Sequence, residues 1–111
     1  MVKYWANWGA LPEGSSASVF SVCNTSHNHA YVIAEDEKSA MAVACSAGHV
    51  RGTSNIDKDY YWRNATLVDP TKVPSLQKFE SEIQLAVNRR LQGTLHFEES
   101  QVLVGNEVIK A

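Results

Sequence analysis

The chain has 111 residues, 44% of them hydrophobic, and ten Lys and Arg against twelve Asp and Glu give a net charge of −2. This is the size of one domain, residues 1–111, with apolar content for a single core. A charge so near neutrality gives no general attraction to nucleic acid or an anionic membrane, and no run nears the ~18 apolar residues of a membrane span.

Residues 2–8 are rich in strand formers, namely Val2, Tyr4, Trp5 and Trp8. Gly9 and the run Pro12-Glu13-Gly14-Ser15-Ser16 should end that strand in a loop. A second strand is expected at 18–22 and a third at 30–34. The polar cluster Asn24-Thr25-Ser26-His27-Asn28 between them reads as the turn of a hairpin.

Asp36 is placed to cap a helix, because its carboxylate can accept from the free N–H groups of the first turn. Glu35 and Glu37 add charge of the sign favoured there. Ala40, Met41, Val43, Ala44 and Ala47 keep a helical period over 37–47, and Gly48 is expected as the left-handed residue that ends it. A short strand at 49–52 and a longer one over 61–68 follow.

A second helix is expected over 75–92, capped near Ser75 and stopped by Gly93. Its apolar stripe is Leu76, Phe79, Ile83, Ala86, Val87 and Leu91. Strand 94–98 comes next. A C-terminal hairpin then turns at Gly105-Asn106, where glycine in the first central position fits a two-residue type II′ turn.

This order predicts an α+β domain, a mainly antiparallel sheet of about five strands with two helices packed on one face. Its centre matches the βαββαβ order of a ferredoxin-like fold. The final strand stands as an edge that either is protected by Lys110 or pairs with a second copy, so self-association is open.

Candidate chemistry is sparse. Cys23, His27, His29, Cys45 and His49 are residue types that bind zinc. Their spacing lacks the C-x2-C clip of structural zinc sites, so no cofactor is assigned and a metal site at Cys23, His27, His29 and His49 stands as an alternative reading. No Gly-x-Ser-x-Gly elbow, Walker pattern or Gly-x-Gly-x-x-Gly loop occurs, so neither an enzyme nor a nucleotide cofactor is indicated. No signal-peptide pattern follows Met1, and a cytoplasmic chain is expected.

The aromatics carry the strongest signal. Trp5 and Trp8 have opposite parity, as do Tyr61 and Trp62, so one sheet face cannot hide them all. With Arg63 beside them, Trp5, Trp8, Tyr61 and Trp62 form a candidate protein-binding face. The same rings could stack single-stranded bases, although the acidic balance favours a protein partner over nucleic acid.

Overall fold

The computed structural model describes residues 7–24, 29–50, 62–98, 100–105 and 107–110, with the backbone alone at 7–8, 24, 45–50, 62–63 and 98. Among the described residues there are seven strands: β1 (Asn7–Ala10), β2 (Ser18–Asn24), β3 (His29–Ala34), β4 (Trp62–Val68), β5 (Leu91–Glu98), β6 (Gln101–Val104) and β7 (Glu107–Ile109). Three α-helices accompany them: α1 (Glu37–Val50), α2 (Pro74–Gln77) and α3 (Glu80–Asn88). A single 3-10 turn at Pro70–Lys72 precedes α2. The α+β class and the antiparallel sheet are as the sequence predicts. The strand count is higher because the sequence joined fewer of the short segments to the sheet.

The strand order is β4-β2-β3-β5-β6-β7, and every described pairing is antiparallel. Gly93 is partnered by Ile33 of β3 and by Asn7 of β1, so β1 must lie on the edge of β5 away from β3. That order differs from the ferredoxin-like arrangement, in which the strand at 30–34 would lie directly between those at 61–68 and 94–98. Here β2 takes the position beside β3, and β4 is displaced outward to the edge.

The two helical layers lie on opposite faces of the sheet, which corrects the expectation of one covered face. Successive residues of a strand point to opposite sides. In β2 Val19 packs with Leu76, Ile83 and Ala86 of α2 and α3, whereas its neighbour Phe20 packs with Ala40, Val43 and Ala44 of α1. In β3 the same division separates Ile33 from Val32 and Ala34. The near-continuous apolar runs in these two strands follow from burial on both sides.

Helix α1 starts where the sequence places it. The Ser39 N–H donates to the Asp36 carboxylate at 2.8 Å, and the Ala40 N–H donates to the Asp36 carbonyl at 2.9 Å. Its end is different, because the helix runs through Gly48 to Val50. The first half of the expected strand at 49–52 is therefore helical, and its second half lies outside the described residues.

The second helical region is broken. Asp69 caps the 3-10 turn, accepting from the Thr71 N–H at 3.0 Å, and Pro74, rather than a residue after Ser75, opens α2. A break at Lys78 and Phe79 separates α2 from α3, which ends at Asn88. The left-handed stop is Arg90, at φ +57°, and Gly93 lies inside β5. The Leu11 N–H takes the Arg90 carbonyl at 2.7 Å, and this tie fixes the turn into β5.

The terminal hairpin is as expected. Val104 and Glu107 close a two-residue loop, and Gly105 takes φ +62°, a conformation glycine adopts without steric cost. Gly9, expected to end the first strand, instead lies within β1 at φ +71°, between the two register points where the ladder shifts. Among the described residues no helix is long and apolar enough to cross a membrane.

Candidate functional site

Three rows of side chains cross β4, β2 and β3 on the face that carries α2 and α3. The registers align Val68, Val19 and Ile33 in one row, Thr66, Ser21 and Tyr31 in the next, and Asn64, Cys23 and His29 in the third. The first row is apolar and joins the core under α3. The other two rows are polar, with one aromatic ring.

The placement of the helices explains the change. Helix α3 packs chiefly against β5, β6 and β7, and it approaches β2 and β4 only at Val19 and Val68, where Gln84 and Val87 line the same groove. The remainder of the face is left without a helical lid among the described residues. Asn64, Thr66 and His29 are exposed there, and Ser21, Cys23 and Tyr31 are half-buried. Sequence alternation follows from this placement: Ser21 and Cys23, Asn64 and Thr66, and His29 and Tyr31 each stand two apart and so share the open side.

Within the patch the Ser21 hydroxyl and Nε2 of His29 share a hydrogen bond at 2.6 Å. The Tyr31 ring meets the His29 ring edge to face, with centroids 4.5 Å apart. Both contacts lie along or across one ladder, so the imidazole is held by groups whose spacing the sheet itself sets. Beside the patch, Phe79 and Phe97 stack at 5.0 Å and pack against the core under α3. The six side chains of the two polar rows include no Lys, Arg, Asp or Glu.

A serine and a histidine in contact are two parts of a nucleophilic device. Such devices also need a group that orients the second ring nitrogen and donors that stabilise an oxyanion. Neither accompanies the pair among the described residues, and the pair lies on an open face. A shallow groove of about 430 Å³ does occur, lined by Val19, Leu67, Val68, Pro70, Gln84 and Val87 among others. It adjoins the apolar row and does not include the polar ones.

The residues singled out from sequence fall as follows. Trp62 and Arg63 open β4 and adjoin the row of Asn64, Cys23 and His29. Trp8 lies on β1, four strand positions from β4, roughly 19 Å at about 4.8 Å per step. Trp5 and Tyr61 lie outside the described residues. The sheet therefore does not bring Trp8 and Trp62 together along neighbouring strands. Of the residues weighed for zinc, Cys23 and His29 are direct cross-strand partners. Cys45 and His49 belong to the backbone of α1, and His27 lies outside the described residues. No group of three or more metal-binding side chains gathers among the described residues.

Ser21, Tyr31, Asn64 and Thr66 were not singled out by sequence reasoning. Their alternation with apolar neighbours was visible, but only the register shows that the three pairs lie side by side. Comparison with known proteins finds no matching family model, no matching curated protein and no matching solved structure.

Proposed function

We propose that this chain is a non-enzymatic protein-interaction domain that engages its partner through the two polar rows and the adjoining start of β4. The observation that supports this reading is the half-bare sheet face, where Ser21, His29, Tyr31, Asn64 and Thr66 stand in register with no helix above them among the described residues. Trp62 and Arg63 border the patch in sequence, and residues of these types dominate binding energy at protein interfaces. The proposed surface therefore keeps the β4 half of the aromatic set, with Tyr61 next to it in the chain, and leaves Trp8 to a different part of the sheet.

The chemistry of the patch indicates what it would bind. Hydroxyl, amide and imidazole groups offer both donors and acceptors, and a flanking ring offers apolar area. A peptide or protein surface presents matching backbone and side-chain groups. Binding of nucleic acid depends on Lys and Arg set against the phosphates, and the two rows contain neither.

The test compares partner recovery from cells by the wild type, by the double variant Ser21→Arg with His29→Ala, and by Gln84→Arg on α3. The expected result is a partner recovered equally by the wild type and Gln84→Arg and reduced about tenfold or more by the double variant. Undiminished recovery by a double variant with an unchanged circular dichroism spectrum refutes the reading.

A further inference from the structure

The two ends of the sheet are built differently. At one end β7 has three residues, Glu107–Ile109, and is followed by the exposed Lys110. The Arg89 guanidinium reaches over this end to the Lys110 carbonyl at 3.4 Å. A short strand between charged residues is a protected edge. At the other end β4 has seven residues, Trp62–Val68, and its described ladder is to β2. Arg63 is its one charged residue, it contains no proline, and Leu67 is 63% exposed. Long edges without lysine, proline or inward charge are the kind that accept another strand.

We infer that β4 pairs antiparallel with β4 of a second copy, about a two-fold axis through Ala65, to make one continuous sheet. The strand's own pattern selects a second copy as the occupant. The midpoint of Trp62–Val68 is Ala65, so this register overlaps the two strands end to end, and the irregularity of the β2 ladder at Trp62 and Arg63 falls at the outer ends of the pairing, away from the axis. It sets Asn64 opposite Thr66 of the partner subunit, polar against polar on the same face, twice over. It sets Arg63 opposite Leu67 of the partner subunit, so no like charges face each other across the axis. Moving the axis by one residue to Thr66 would place Asn64 opposite Val68 of the partner subunit and leave Trp62 beyond the end of the partner strand. A net charge of −2 per chain opposes association only weakly.

A two-fold axis perpendicular to the sheet keeps each face continuous across the junction. The polar rows of both copies then meet at the axis, the row of Asn64 in one copy beside the row of Thr66 in the other. The dimer presents one double-width platform. This inference concerns the edge of β4 and stands without the partner proposed for the open face, because its readout is the mass of the pure protein.

Sedimentation equilibrium over about a hundredfold range of concentration tests it. The wild type should pass from the monomer mass of 12.3 kDa toward twice that value. Asn64→Lys with Thr66→Lys places like charges opposite each other at two symmetric positions and should weaken the dimer about tenfold. Asn64→Glu with Thr66→Lys places opposite charges there and should hold it at or above the wild-type strength. Both positions are exposed, so the monomer fold tolerates either pair. Hydrogen exchange should slow with concentration in the 62–68 segment and stay constant at 107–109. A wild type that remains monomeric overturns the inference, as it would if the edge receives only an unrelated peptide. So does a Glu–Lys variant that dissociates as readily as the Lys–Lys one, or protection that appears at 107–109.

Discussion

Val32 and Ile33 are neighbours in β3 and both are fully buried, yet they belong to different cores. Val32 shares its cluster with Val43 of α1, and Ile33 shares the other, on the opposite face of the sheet, with Ile83 of α3. Double-mutant cycles should therefore couple these residues by layer and not by sequence distance. Val32→Ala removes two buried carbons, about 1.6 kcal/mol at ~0.8 kcal/mol each, and the residual cavity raises this to about 2–3 kcal/mol. Val43→Ala should cost a similar amount. The milder Ile33→Val and Ile83→Val should each cost about 0.5–1.5 kcal/mol. A domain stable by ~5–15 kcal/mol can carry these variants in pairs and remain folded. Urea denaturation gives each free energy, and a constant m value shows that the unfolding reaction is unchanged. The Val32–Val43 and Ile33–Ile83 pairs should deviate from additivity by about 0.5 kcal/mol or more. The crossed pairs, Val32–Ile83 and Ile33–Val43, should add within ~0.3–0.5 kcal/mol. Coupling of Val32 to Ile83 as strong as its coupling to Val43 would refute the division of the sheet into two cores.

Two further predictions concern the helix ends. The Asp36 carboxyl is held below the ordinary carboxylate range, first by the hydrogen bond from the Ser39 N–H and then by the Ser39 side chain. A depressed folded value contributes stability that is fully present above the unfolded value, near 3.8, and is lost as pH falls through the folded one. Asp36→Ala should accordingly lower the urea midpoint at pH 7 and lose that deficit in acid below the usual carboxylate range; a deficit that persists there would place its origin outside the cap. Arg90 occupies φ +57°, a conformation that costs a residue with a Cβ about 1–2 kcal/mol, against ~0.5–1 kcal/mol of extra chain entropy for glycine. Arg90→Gly should raise stability by about 0.5–1 kcal/mol in urea titrations, and a decrease would show that packing of the arginine stem outweighs the relief.

The elements that were legible in the sequence are those decided by neighbours in the chain. The Asp36 cap needs only the N–H groups three and four residues ahead. The closing pair of Val104 and Glu107 needs only a two-residue loop with glycine in its first position. The stops of the helices were misread because glycine was taken as sufficient. A glycine inside a helix costs about 1 kcal/mol against alanine, and burial of Ala40, Val43 and Ala44 against the sheet supports a helix that continues through Gly48. Gly93 was likewise read as a stop. The stop falls instead at Arg90, whose carbonyl is claimed by Leu11, nearly eighty positions earlier in the chain.

The placement of the helices on two faces had a sequence signal that periodicity alone does not resolve. The runs Val19-Phe20 and Val32-Ile33-Ala34 put apolar residues on both parities, and a strand bare on one side has no use for both. That pattern says a strand is covered twice, but it does not say by which helix. Assigning α1 to Phe20 and α3 to Val19 requires the pairing order of β2, β3 and β4, and that order is information spread over the chain from Ser18 to Val68. The candidate site depends on the same order. Ser21, His29 and Thr66 are unremarkable singly, and each could cap a turn or face water. They become a surface because β2 is the strand between the other two, and because α3 packs chiefly over β5, β6 and β7. A chain in which β3 and β4 were adjacent would carry the same polar residues without a common patch. The polar patch is thus a property of the register, and it should survive any substitution that keeps the register and leaves the two polar rows unchanged.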